Sequence, residues 1–325
     1  MNPQASKSKS SKRAISGVLL LDKPFGISSN QALQIARCIF AARKAGHTGT
    51  LDPAATGLLA ICFGEATKFS AALLSADKEY EATLKLGYTS TTGDAEGEIS
   101  AVKGHGEWRD LELPLEQVQS VFKSFIGVIS QTPPMYSALK HRGKRLYSYA
   151  REGVEIERQP REAVIRALHM EALMGNEMRI VVKCGTGTYI RTLAEDLGKA
   201  LGCGGAYLTS LRRRTLAGFT LQQAYTLDAL EAMSVSQRDS CLLSTDSLVQ
   251  GLPAVTLDDA AAASLLQGGV VDDHSQAECS FRRREGQTEQ RIRLYDRSNR
   301  FLGVGEITEE GRVAPKRLMR QTENF

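Results

Sequence analysis

Asp52 sits in the stretch Gly46-His47-Thr48-Gly49-Thr50-Leu51-Asp52-Pro53-Ala54-Ala55-Thr56-Gly57-Leu58-Leu59, which is too glycine-rich and too polar for an ordinary core element. It nonetheless leads straight into Leu58-Leu59-Ala60-Ile61-Cys62-Phe63, an apolar run of buried-strand length. This pattern predicts one carboxylate presented on a tight loop at the mouth of a rigid strand. Pro53 biases Asp52 toward extended backbone, and Gly49 and Gly57 let the chain turn or approach a ligand closely. An ionised carboxylate so placed can act as a nucleophile. An Asp-Pro pair is equally an ordinary turn starter.

Arg191 is the second candidate. It follows Gly185-Thr186-Gly187-Thr188-Tyr189-Ile190, in the first turn of a predicted helix, where a cation opposes the helix dipole and needs a carboxylate or phosphate partner. The two glycines invite a dinucleotide reading, but Ile190 stands where GxGxxG needs its third glycine. No GxxxxGK(S/T), HExxH or GxSxG occurs, which removes the commonest nucleotide, zinc-peptidase and hydrolase-elbow readings. A third region, Gln131 to Arg151, interleaves four Lys/Arg and a His with three tyrosines between residues 136 and 149. Basic side chains hold phosphates and tyrosine rings stack on bases, so this is the best local nucleic-acid signature; a solvated amphipathic helix with inward-packed tyrosines fits the same residues. Arg212-Arg213-Arg214 reads as a solvated face.

The elements that must position these groups follow from apolar patterning. Gly17 to Leu21 predicts a buried strand, broken by Asp22-Lys23-Pro24-Phe25-Gly26 before a helix starting near Ser28-Ser29. Glu65 to Leu74 reads as helical, and Tyr80 to Leu86 alternates as a half-buried strand does. Residues 89 to 113 read as an exposed loop and Leu115 to Phe125 as a helix, with strands at Val164 to Leu168 and Met178 to Cys184. Residues 226 to 268 carry helical patterns, with a boundary at Gly251 to Pro253. Beyond Gly268-Gly269 short alternating segments predict a small β-rich module bearing Arg282, Arg283, Arg284, Arg291, Arg293, Lys316, Arg317 and Arg320.

A chain of 325 residues predicts two domains, or one with an appended module. Its 42% hydrophobic and 24% charged fractions are ordinary for a globular protein, and its net charge of +4 permits a nucleic-acid partner. No apolar run reaches the length of a membrane span, and the Ser/Lys-rich start lacks the apolar region of a signal peptide, so a cytoplasmic protein is expected. Six cysteines without a CxxC pair suit reduced core thiols better than disulfides or zinc.

Six segments, in order, resemble the bacterial TruB family of tRNA pseudouridine synthases: Leu21-Asp22-Lys23-Pro24-Phe25-Gly26; Lys44 to Pro53 with Ala55-Thr56-Gly57; Asp77-Lys78-Glu79-Tyr80; Thr132-Pro133-Pro134-Met135-Tyr136-Ser137-Ala138; Gly187-Thr188-Tyr189-Ile190-Arg191; and Leu211-Arg212-Arg213. They span residues 17 to about 219. Ser28 stands where the family usually has Thr, and Thr186 where Lys is commoner. The resemblance implies an α+β pseudouridine synthase fold: a central mixed, largely antiparallel sheet flanked by helices, an inserted thumb and a small β-rich C-terminal PUA-like domain. On this numbering it implies a disordered basic tail at 1–15, a catalytic domain at 16–250 with its thumb at about 127–156, and an RNA-binding domain at 251–325.

The activity implied is isomerisation of uridine 55 in the TΨC arm of tRNA, with no metal or organic cofactor, by a cytoplasmic monomer without membrane or obligate protein partners. By the same resemblance Asp52 is the catalytic aspartate, and Arg191 pairs with it through a charge-assisted fork that keeps its pKa low. The uridine is flipped out of its stack. Tyr80 stacks on the flipped base and assists proton transfer from C5. Tyr189 and Leu211 shape the pocket, His47 fills or buttresses the vacated space, and Lys23 and Pro24 support the loop. Two alternatives are an RNA-binding or RNA-folding protein using the same basic surfaces, and an RNA-guided relative that works with protein partners.

Overall fold

The structure, a computed structural model, describes residues 12–102, 113–272 and 290–320. The first element is β1 (Gly17–Lys23), followed by α1 (Ser29–Ile39), β2 (Ala45–Thr48), β3 (Ala55–Phe63), α2 (Ala71–Leu74) and β4 (Lys78–Leu86). A hairpin of β5 (Tyr88–Ser90) and β6 (Ile99–Ala101) precedes α3 (Leu115–Phe125) and β7 (Gly127–Gln131). Then come β8 (Lys140–His141), β9 (Lys144–Arg145), α4 (Leu146–Arg151), β10 (Arg161–Met174), β11 (Glu177–Cys184), α5 (Ile190–Ala200) and β12 (Ala206–Leu216).

The central sheet runs β1-β3-β12-β4-β11-β10-β7, with β2 and the short strand Phe219–Thr220 attached at β3 and β12. Its pairs are antiparallel except β3 with β12, which is parallel, so the sheet is mixed and largely antiparallel as expected. Burial explains the patterns. From Gly57 to Phe63 every residue of β3 is buried, the continuous run of a strand covered on both faces, whereas β4 alternates buried and half-buried residues along its length. Helix α1 starts where Ser28 closes a capping box with Gln31 and buries Ala32, Leu33 and Ala36 against β1 and β3. Helix α5 lays Ile190, Leu193, Ala194 and Leu197 on the opposite side, against β4, β11 and β12.

A second sheet takes the order Ala254–Leu257, Gln290–Asp296, Phe301–Ile307, Arg312–Leu318, Val271–Asp272, closed by the helix Asp259–Leu266. Its turn at 297–299 falls where Asp296-Arg297-Ser298-Asn299 placed it, with Asn299 at φ 59°. Four expectations need correction. The helical pattern at 226–268 is interrupted by the strand Ala254–Leu257, because Pro253 ends helical backbone and Val255 and Leu257 face the module's core. The 65–74 helix is a 3-10 turn at Gly64–Lys68 and the single turn α2. The 89–113 loop carries the β5-β6 hairpin and a buried Asp94. Cys62, Cys184 and Cys203 are buried free thiols, but Cys38 lies exposed on α1. Of the tail expected at 1–15, Arg13 bonds Ala41 and pairs with Asp239; residues 1–11, Arg282, Arg283, Arg284 and Cys279 lie outside the described residues.

Candidate active site

The Asp52 loop joins β2 to β3 and is held from several sides. Ser29, the first residue of α1, grips both ends of the Leu51 residue: its Oγ donates to the Leu51 carbonyl at 2.8 Å and accepts from the Leu51 amide at 2.7 Å. The Pro53 carbonyl accepts from the Gly26 amide at 2.9 Å and from Lys23 Nζ at 3.4 Å. Lys23 is fully buried at the end of β1, and its Nζ also donates to Pro24 O at 2.9 Å and Ile27 O at 2.6 Å. Pro24 itself is exposed, and its part in the loop is this carbonyl.

Arg191, in the first turn of α5, meets Asp52. Its Nη2 lies 3.0 Å from Asp52 Oδ2 and donates to Tyr136 O at 2.7 Å; Nη1 donates to Thr92 O at 2.9 Å and lies 3.8 Å from Asp94 Oδ2. The helix-start cation therefore has its anions, but as a bridge between two carboxylates and two carbonyls instead of a bidentate fork. Its position is set by Tyr189, the N-cap of α5, whose amide donates to Gln131 Oε1 at 3.0 Å and whose carbonyl accepts from Gln131 Nε2 at 3.3 Å.

The electrostatics differ from the sequence expectation. Asp52 keeps 41% of its side chain open on the cleft side, yet crowding by protein on the other side pushes its carboxyl above the ordinary aspartate value. Arg191 and Lys23 oppose that shift and Asp94 adds to it, so pairing does not hold the pKa low. Burial lowers Lys23 to about 8 against the pull of Asp52 and Glu96. It also lowers His47, with Arg213 and Arg145 acting in the same sense, which keeps the imidazole neutral at pH 7; its Nδ1 is buried and has no hydrogen-bond partner among the described residues. Tyr80 is 8% exposed, and burial raises its hydroxyl while Arg213 opposes. Burial likewise raises Tyr189, with the nearby Ser137 hydroxyl opposing.

Asp52, Arg191, Tyr80, Tyr189 and Lys23 thus form one electrostatic group. Leu211 packs with Leu51 and Tyr80 in the core under the cleft, opposite Ala55 on β3 and Ala82 on β4. Residues 136 to 149 are not one helix: the β8-β9 hairpin and short α4 leave Tyr147 and Tyr149 half-buried and in contact with Lys144, Arg145 and Arg151. Asp94, Ser29, Gln131 and Arg213 were not singled out individually from sequence. Asp94 lay in a polar stretch without apolar spacing, and Ser29 and Gln131 act through backbone contacts that no motif announces. Strand alternation is the one signal that could have separated Arg213, fully buried, from Arg212 and Arg214. A cavity of about 830 Å³ lies away from these residues, between Phe69, Phe219, Leu248, Val304, Arg291 and Arg317.

Comparison with known proteins agrees in three segments. Residues 37–190 match the TruB family pseudouridylate synthase N-terminal domain, 191–250 the tRNA pseudouridylate synthase B C-terminal domain, and 253–319 the C-terminal region of pseudouridine synthase II TruB. The chain is 65% identical over 314 residues to tRNA pseudouridine synthase B of Nitrosospira multiformis, covering 96% of this chain and 98% of that one. Its identity to tRNA pseudouridine synthase B of Methylobacillus flagellatus is 50%, covering 95% and 97%. Among solved structures, a Cbf5-Nop10-Gar1 complex aligns with TM-score 0.68 at 24% identity, over 94% of this chain and 84% of that one. An H/ACA RNP bound to a substrate RNA gives 0.66 at 22%, over 94% and 86%. At those identities the structures bear on the fold alone.

Proposed function

The chain belongs to the TruB family of pseudouridylate synthases, and from that membership we propose that it isomerises uridine 55 in the TΨC arm of tRNA to pseudouridine. The observation that carries the reading is the Asp52–Arg191 contact at 3.0 Å, with Tyr80 and Tyr189 close enough to feel the same charges and Leu211 packed in the core beside them. In the reaction the bond from C1′ to N1 breaks, a bond from C1′ to C5 forms, C5 gives up its proton and N1 gains one. No atom is gained or lost.

Asp52 is the nucleophile, supplied as the ionised carboxylate by Arg191 and Lys23 against the effect of burial. The uridine leaves its stack at a cost of a few kcal/mol. Tyr80 faces the flipped base and assists removal of the C5 proton, Tyr189 and Leu211 bound the pocket, and neutral His47 fills the space left in the RNA. The insert at about 127–156 is the thumb that grips the stem-loop, and the module from 251 onward is a PUA-like domain adding phosphate contacts. We place the reaction in the cytoplasm, on a monomer that needs neither guide RNA nor protein partner. Support for the last point is the near full-length match to relatives named tRNA pseudouridine synthase B, against a fold-level likeness to the H/ACA structures.

The test is incubation with tRNA carrying tritium at uridine C5, with the product position mapped by carbodiimide primer extension. Wild type releases tritium and marks position 55. The Asp52→Asn variant releases none and still binds tRNA; full release by that variant would remove Asp52 from its role.

A further inference from the structure

The side chains of Arg212, Arg213 and Arg214 separate sharply in the structure. Arg212 pairs with Asp22 at 2.7 Å, and Arg214 lies 3.3 Å from Glu171, 43% exposed, so both behave as surface cations. Arg213 is 0% exposed. An arginine removed from water needs every charge and donor answered, and a carboxylate is the usual answer. Among the described residues no carboxylate forms an ion pair with it. Its partners are neutral groups of the site. Nε donates to Leu58 O at 2.6 Å, on the strand leaving the Asp52 loop, and Nη2 donates to Gly49 O at 2.8 Å, on the strand side entering it. On β4 its cross-strand partner is Tyr80, on whose hydroxyl the guanidinium acts. The cation thus touches both arms of the Asp52 loop and the tyrosine that faces the base.

We infer that Arg213 is a positioning residue for the isomerisation, fixing the Asp52 loop and the Tyr80 hydroxyl in one frame through Gly49, Leu58 and the phenol. A core arginine kept only for stability would be replaceable by better-packed apolar residues, and its desolvation cost would serve nothing. Here the Nε and Nη2 hydrogen bonds both go to carbonyls on the two arms of the Asp52 loop, whose placement decides the distance between the carboxylate and the ring. Its charge also acts on His47 and Tyr80, depressing protonation of both.

This inference rests on the assignment of Asp52 and Tyr80 to the reaction, and the experiment separates the two. Tritium release by wild type tests the function; a double-mutant cycle of Arg213→Lys with Tyr80→Phe tests Arg213. Lysine keeps the charge but loses the planar fork. Single-turnover release by Arg213→Lys is expected to fall about 100-fold, the scale of a misplaced reacting group, with tRNA affinity unchanged. In the Tyr80→Phe background the same substitution is expected to cost clearly less, because part of its effect runs through the hydroxyl. Wild-type turnover in Arg213→Lys, a loss confined to tRNA affinity, or full additivity in the cycle would overturn the inference. Should the lysine variant fail to fold, Arg213→Gln, which keeps a planar donor group on a shorter and uncharged stem, takes its place. The same loss of rate with intact binding is expected there, and an unimpaired rate overturns the inference equally.

Discussion

The cleft and the basic insert use the same kind of side chain in opposite ways. In the cleft, Lys23, Arg191 and Arg213 are 8% exposed or less, and their hydrogen bonds end mainly on backbone carbonyls, those of Pro24, Ile27, Pro53, Thr92, Tyr136, Gly49 and Leu58, with Arg191 meeting Asp52 and Asp94 as well. In the insert the cations lie over rings, and Lys144 pairs with Glu152 besides, which leaves Arg145 and Arg151 as the cations held by a ring. Lys144 Nζ is 4.6 Å from the Tyr149 centroid, and Arg145 and Arg151 flank Tyr147 at 5.7 and 5.4 Å. Carbonyls fixed by strands and turns do not reorganise, so the cleft's charges are set before a substrate arrives. Rings hold a cation weakly and leave it one face for a phosphate. Geometry for chemistry and affinity for a polyanion thus come from different partners of the same residue types.

The largest expected effect breaks the cleft side of this comparison. Arg191→Ala removes the bridge between Asp52, Asp94 and two carbonyls, and turnover should drop on the order of 1000-fold with tRNA binding little changed. Tritium release and filter binding measured together check it, and unchanged turnover would sink the assignment. The middle effect tests the insert. Arg145→Ala with Arg151→Ala should weaken tRNA binding and reduce the slope of log affinity against log salt by about 2, leaving turnover at saturating tRNA close to wild type. A loss of saturated turnover with an unaltered slope would mean that these cations serve the chemistry instead.

The smallest effect concerns Lys23 and stability. Its folded pKa of about 8 lies below the ordinary 10.5, so between those values the unfolded chain binds the extra proton and wild-type stability rises with pH. Lys23→Met lacks this contribution. Between about pH 8 and 9.5 wild type should gain up to about 2 kcal/mol relative to the variant, read from urea midpoints. Parallel curves for the two proteins would show that Lys23 titrates normally.

Much of this arrangement was legible in the sequence, and the limits have physical reasons. β1, β3, β4, α1, α3 and α5 follow directly from apolar runs, alternation and a capping residue. Arg191 was legible because a cation at a helix start opposes the dipole, whereas Asp52, in a sequence that an ordinary turn also explains, stood out through the resemblance and through the need of Arg191 for an anion. The low pKa expected of Asp52 failed because proximity to Arg191 can be inferred from a motif, whereas the burial that raises the carboxyl depends on how the folded chain packs around it. Arg213 was hidden because three consecutive arginines look uniform until a strand turns the middle one inward. The strand Ala254–Leu257 was missed because its partner Gln290–Asp296 lies more than 30 residues further on.

Arg191 ties the hairpin and the insert through the carbonyls of Thr92 and Tyr136, not through their side chains. Over evolutionary time, then, the residue types at 92 and 136 are free to drift as far as this tether is concerned. What selection must preserve there is the path of the main chain, so insertions and deletions near either position should be rarer than substitutions.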